Sequence, residues 1–163
     1  MICNLTLNMK TNVRYRKAAN IPSLPRILCV DDDKDTCNLI DFMFEHEDRS
    51  YVITSVRSAE EALDLIAVQS FDLYIIDCWL TAMTGFELCS RIRRTDKQTP
   101  IVFFTAMARP ADRQVGMAAG ANEYLIKPDD LPILTETVNR LLKAKELKPT
   151  NLQSSFQYKD SLW

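Results

Sequence analysis

Apolar residues follow two alternating rhythms along this chain, and the alternation predicts its elements. Ile27-Leu28-Cys29-Val30 is an unbroken apolar run of the kind a strand buried on both faces requires, and it stops at Asp31-Asp32-Asp33. From about Asp35 to Glu45 the period lengthens, with Cys37, Ile40, Met43 and Phe44 recurring on one helical face. Tyr51-Val52-Ile53-Thr54, β-branched and aromatic, predicts a second strand. Ser58 with Glu61 three residues on predicts a capping box, each side chain serving the other's free backbone donor. It opens a helix whose Ala59, Ala62, Leu63 and Ile66 share a face. Phe71 to Ile76 predicts a third strand with Asp77 at its carboxyl end, and Gly85 to about Arg94 a third helix. Pro100 to Phe104 follows as a fourth strand, and Arg109 to Ala119 as a fourth helix closing near Gly120. Glu123 to Ile126 is a short fifth strand broken by Lys127-Pro128, and Asp130 with Pro132 in the first turn starts a last helix to about Lys145.

Five strand-then-helix units predict an α/β fold: a doubly wound parallel sheet with helices on both faces, since each parallel pair needs a crossover. The ligand crevice of such a sheet opens at the carboxyl ends of its strands. Before this domain, residues 1–25 are mixed polar and basic, end in Pro22-Ser23-Leu24-Pro25, and are read as an extension. The domain spans 26–145. Residues 146–163, polar apart from Leu152, Phe156, Leu162 and Trp163, are read as a tail.

A chain of 163 residues suits one core, and 47% hydrophobic with 26% charged residues excludes disorder and fibrous repeats. Twenty Lys and Arg against twenty-two Asp and Glu leave a net charge of -2, so nucleic acid is not an expected partner. With no apolar run of roughly 18 residues and no signal-type segment, membrane association is not expected and the cytoplasm is the expected location. The five cysteines are odd in number and form no C-x-x-C pair, which favours reduced core thiols over a disulfide or zinc site. His46, the only histidine, lacks partners at ligand spacing and sits where a charge suits a helix terminus.

The chemistry-bearing residues gather at one edge: Asp31 to Asp33 end the first strand, Asp77 the third, Thr105 the fourth and Lys127 the fifth. Each has an ordinary reading, as helix cap, strand-end hydroxyl or surface amine. Their joint placement is what points to a site. Carboxylates crowded into one crevice repel unless a cation joins them, and a hard divalent ion suits oxygen ligands. Magnesium fits few carboxylates, retained waters and a phosphoryl oxygen better than calcium.

These motifs resemble the receiver domains of two-component response regulators, over roughly Arg26 to Lys145. The matching pieces are the acidic cluster in ILCVDDDKD, the strand ending DLYIIDCWL with Gly85 eight residues beyond Asp77, FFTA with Thr105, and AGANEYLIKP with Lys127-Pro128. The resemblance implies a flavodoxin-like sheet of strand order 2-1-3-4-5 and phosphorylation of Asp77. It implies magnesium held by Asp32 and Asp77 directly, by Asp31 through a water, and by the Trp79 carbonyl. Lys127 and Thr105 would each bond a phosphoryl oxygen, Tyr124 would be an aromatic switch that follows Thr105, and the Lys127-Pro128 bond would be cis. Its phosphoryl donor would be a histidine kinase or histidine phosphotransfer protein. With no helix-turn-helix, cyclase or other output sequence after Lys145, output is expected through protein binding by the last helix and its neighbours. The tail's Phe156 and Trp163 leave a homodimer open.

Two positions depart from the family pattern: Thr81 replaces a common proline and Thr84 an acidic or amide residue. Bulky Trp79 and Met107 are expected to keep water from the acyl phosphate. A phosphoaspartyl hydrolase fits less well, since Trp79 stands where its acid-base Asp belongs. A flavin or nucleotide binder fits less well too, because no glycine-rich loop follows the first strand. The complete set Asp32, Asp77, Thr105 and Lys127 argues against an inert receiver that merely docks.

Overall fold

The computed structural model describes residues 24–46 and 51–147. The extension and tail read from the sequence lie outside these, apart from the residues flanking the domain, and so do Cys3, Phe156 and Trp163. Five strands, β1 (Arg26–Val30), β2 (Val52–Val56), β3 (Leu73–Ile76), β4 (Ile101–Thr105) and β5 (Glu123–Ile126), alternate with five helices. These are α1 (Lys34–Glu45), α2 (Ala59–Val68), α3 (Gly85–Thr95), α4 (Pro110–Ala118) and α5 (Leu131–Glu146). All strand pairs are parallel, in the order β2-β1-β3-β4-β5. The doubly wound sheet expected from the alternation is therefore observed.

Successive strand residues point to opposite faces, which divides the core in two. Ile27, Cys29, Leu73, Ile75, Val102, Phe104 and Leu125 pack with Ile40 and Phe44 of α1 and Leu134, Val138 and Leu142 of α5. Leu28, Val30, Tyr74, Ile76, Phe103 and Tyr124 pack on the other face with Ala59 and Ala62 of α2 and Leu88, Cys89 and Ile92 of α3. Each fully buried Leu, Ile or Phe contributes roughly 1.5–3 kcal/mol of transfer free energy. Cys29, Cys37, Cys78 and Cys89 are all free and buried, as expected of core thiols.

Boundaries differ from the sequence reading for local reasons. Strand β3 starts at Leu73 rather than Phe71, because Asp72 folds back on the start of β1: its carboxylate accepts from Arg26 N–H at 3.0 Å. Strand β2 runs on to Val56, where Ser55 donates to Asp41 at 2.7 Å and the Val56 carbonyl accepts from Asp31 N–H. The box at Ser58 is only half formed. Ser58 Oγ accepts from Glu61 N–H, but Glu61 reaches one residue further back, to Arg57 N–H. A complete box instead opens α3, between Thr84 and Glu87. Asp130 precedes α5 without capping it by side chain, since its carboxylate accepts from Ile126 N–H. His46 caps α1, its ring nitrogen 2.8 Å from the Phe42 carbonyl.

Helix α4 is fastened unequally. Beyond its carboxyl end Gly120 adopts φ +106, and Arg93 donates to the Gly120, Asp96 and Thr99 carbonyls and to Asn122 Oδ1. Asn122 Oδ1 also accepts from Ile101 N–H, so one guanidinium ties α3, β4 and the end of α4 together. At its amino end α4 has no side-chain cap; Arg109 pairs with Asp112 of the first turn, and Arg113 Nη1 donates to Tyr124 O of β5 at 2.6 Å. Gly116 lies where the helix meets Tyr124 and Phe103: a Cβ there would sit 2.8 Å from the Tyr124 ring. Among the described residues, no helix is long and apolar enough to cross a membrane.

Candidate functional site

The sheet places the site by one device used three times. Asp31, Asp77 and Lys127 each follow the last residue of a strand, and each backbone N–H is still held by the neighbouring strand. Asp31 donates to Val56 O at 3.1 Å, Asp77 to Val30 O at 2.9 Å and Lys127 to Thr105 O at 2.8 Å. Their side chains therefore share the carboxyl edge as the sequence led one to expect.

Lys127 Nζ donates to Asp31 Oδ2 at 2.6 Å and to Asp77 Oδ2 at 2.9 Å, and lies 5.5 Å from the Phe104 ring centroid. The opposite oxygens are fixed locally: Asp31 Oδ1 accepts from Asp33 N–H and Asp77 Oδ1 from Trp79 N–H, both at 3.1 Å. Each carboxylate thus makes a turn with the amide two residues on and shares the ammonium. Burial raises the carboxyl of Asp31; the bond and charge of Lys127 pull it back, Asp77 adds to the rise, and the net direction is upward. Burial pulls the Lys127 ammonium down, but its bonds to Asp31 and Asp77 prevail, so the net shift is also upward. The two directions are compatible because the lysine has two anionic partners and Asp31 shares one cation.

The three aspartates divide their work. Asp33 caps α1, accepting from Asp35 N–H and the Thr36 hydroxyl, each at 3.0 Å. Asp32 turns to the cluster: one oxygen from each of Asp31, Asp32 and Asp77 lies within 4.8 Å of the others. Three carboxylates against one ammonium leave negative charge in excess, and the donor set fits a hard divalent cation.

Thr105 is fully buried, its hydroxyl accepting from Met107 N–H at 3.4 Å. Tyr124 is buried too, and its hydroxyl donates to the Met107 carbonyl at 2.9 Å. Met107 thereby joins Thr105 to Tyr124 through both of its backbone groups. Cys78 faces away from Asp77 into the core, its thiol donating weakly to the Tyr124 oxygen at 3.7 Å. Burial pushes that thiol up to about 12. Trp79 is 74% exposed, so most of its indole faces solvent, while Met107 is partly buried. The Lys127-Pro128 bond is cis.

Three contacts of the loop after Asp77 were not read from the sequence. Gly85 donates to Cys78 O at 3.0 Å, and a Cβ on it would come within 2.0 Å of Asp77 O. Thr84 is the cap of α3, which its spacing to Glu87 could have revealed. Thr81 Oγ1 donates to Asp32 Oδ2 at 3.0 Å, and nothing in the sequence points to that contact.

The family model for the response regulator receiver domain matches residues 27–139. An uncharacterized transcriptional regulatory protein of Bacillus subtilis is 29% identical over 82% of the chain, and an uncharacterized 14.6 kDa protein of Leptolyngbya boryana is 42% identical over 64%. The match spans 58% of the length of the first and 79% of the second. A response regulator receiver domain protein from Methanospirillum hungatei superposes with a TM-score of 0.71 at 29% identity, over 76% of this chain and 98% of that one. A family match across most of the chain, on the fold and strand order such domains share, leaves one assignment: the protein belongs to the response regulator receiver domain family, modules of phosphorylation signalling in two-component systems.

Proposed function

We propose that the chain is a response-regulator receiver whose Asp77 accepts a phosphoryl group and whose output is phosphorylation-dependent binding to another protein. The observation that carries this reading is Lys127, whose single ammonium joins Asp77 and Asp31 across separations of 50 and 96 residues beside a third carboxylate. The donor is a histidine kinase or histidine phosphotransfer protein. An Asp77 oxygen attacks phosphorus, the P–N bond breaks, and its electron pair returns to the donor's imidazole. Lys127 then bonds a phosphoryl oxygen in place of a carboxylate, and Thr105 bonds another.

Asp32 and Asp77, with Asp31 through a water and the Trp79 carbonyl, would hold magnesium. Bound magnesium would neutralise the phosphoryl charge and help hold donor and acceptor in line. The chain is no enzyme toward outside substrates; it promotes only its own phosphorylation and dephosphorylation. For Thr105 to reach the phosphoryl group it gives up the Met107 amide, and the chain of bonds from Met107 to Tyr124 carries the change to α4 and β5.

Incubation with acetyl phosphate and magnesium, read by intact mass, tests the reading. One phosphoryl group is expected on the wild type and none on Asp77→Asn. Equal labelling of the two proteins refutes it.

A further inference from the structure

Asp31 and Asp77 are oriented by Lys127 and by backbone amides, whereas the carboxylate of Asp32 is held from a different quarter. Thr81 Oγ1 donates to its Oδ2 at 3.0 Å, across 49 residues of sequence. On its other side, Arg57 donates from Nε at 3.2 Å and Nη2 at 3.0 Å to the Asp32 carbonyl. Asp32 is thus gripped at backbone and side chain by groups from two different loops.

Thr81 is itself well placed to aim. It opens a tight three-residue turn in which Met83 N–H donates to Thr81 O at 2.9 Å around Ala82, whose φ is +69. A β-branched side chain has few χ1 choices on a fixed backbone, so the hydroxyl is directed before any ion arrives. A donor on Oδ2 leaves Oδ1 and the remaining lone pairs free, and it removes rotations that an incoming cation would otherwise have to freeze. The proline common at this position in the family has no hydroxyl to offer, so the contact belongs to this chain's own sequence.

We propose that Thr81 is a positioning residue for the magnesium site, presenting the Asp32 carboxylate to the ion through its hydroxyl. This rests on Asp32 being a magnesium ligand, as read above.

The test is a titration of the full chain with magnesium chloride, followed by amide chemical shifts of the residues around Asp32 and Asp77. Thr81→Val should weaken the dissociation constant by about tenfold, the lower end of what loss of a ligand-orienting bond costs. Thr81→Ser, which keeps the hydroxyl, should stay within about twofold of wild type. Thr81→Ala repeats the test without the branched side chain, and the same spectra report that each variant is folded. At saturating magnesium, the rate of acetyl phosphate labelling should match wild type, with only the half-saturating magnesium concentration raised. Unchanged affinity in Thr81→Val and Thr81→Ala overturns the proposal while leaving Asp77 as phosphoacceptor untouched. A wild type whose amides ignore magnesium overturns both this proposal and the metal reading beneath it.

Discussion

Gly85 is where one added carbon should do the most damage. Its Cβ would stand 2.0 Å from Asp77 O and 2.9 Å from both Asp77 C and Cys78 Cα, all backbone atoms that no rotamer change can move aside. Relief to an ordinary contact of about 3.5 Å demands that the loop and the strand end part by about 1.5 Å. That separation also breaks the 3.0 Å bond from Gly85 N–H to Cys78 O. Overpacking of this kind costs about 1–3 kcal/mol and the lost hydrogen bond about 1 kcal/mol, while alanine's better helix propensity returns less than about 1 kcal/mol. Gly85→Ala should therefore lose about 2–3 kcal/mol, a fall of about 1–1.5 M in the urea midpoint for a slope near 2 kcal/mol/M. The carbonyl pushed hardest is that of Asp77 itself, and a displacement of about 1 Å at a reacting group costs on the order of a hundredfold in rate. Acetyl phosphate labelling at saturating magnesium should slow accordingly. A midpoint within about 0.2 M of wild type, with labelling within about twofold, would refute the close approach as the reason glycine stands here.

Three further outcomes can be checked on the same protein. Ala82 holds φ +69, a conformation costly to L residues, so Ala82→Gly should raise stability by about 0.5–1 kcal/mol and the melting temperature by about 2–4 °C; a lower melting temperature would contradict this. Burial raises the thiols of Cys78 and Cys89 from 9.0 to about 12 and about 11, and the Tyr74 hydroxyl from 10.0 to about 12. Because the neutral forms are favoured in the fold, this stability is complete below the ordinary values and is lost as pH climbs through the raised ones. The urea midpoint should thus be level through neutrality and fall in the alkaline range, and iodoacetamide at about pH 8 should spare Cys78 until the chain unfolds. Alkylation of folded Cys78 at the rate of a free thiol would show that the core does not protect it.

Most of the site was legible because a parallel sheet brings its carboxyl ends to one edge, so naming the residues that end β1, β3, β4 and β5 also named Asp31, Asp77, Thr105 and Lys127 as neighbours. What stayed hidden depends on loop paths that no periodicity encodes. Thr81 and Asp32 meet only because the loop after β3 turns sharply at Ala82, and alanine does not advertise a positive φ as glycine or asparagine would. Gly85 was visible as a spacing, but its reason is a distance to Asp77 O. Thr84 looked like a departure from pattern, yet its hydroxyl caps α3. The Ser58 and Glu61 spacing was right for a capping box, but Glu61 chose the donor at Arg57, a difference of one residue that spacing cannot resolve.

The two ends of α4 are fastened to different neighbours. Arg93 rivets the backbone just past its carboxyl end to three other segments, whereas near its amino end Arg113 Nη1 donates to Tyr124 O at 2.6 Å and stands over the Tyr124 ring. A disturbance entering through Met107, three residues before Pro110, therefore reaches first the end of the helix that shares Tyr124 with it. Tyr124 is thus the pin between β5 and the front of α4, its hydroxyl on the Met107 carbonyl and its own carbonyl under Arg113.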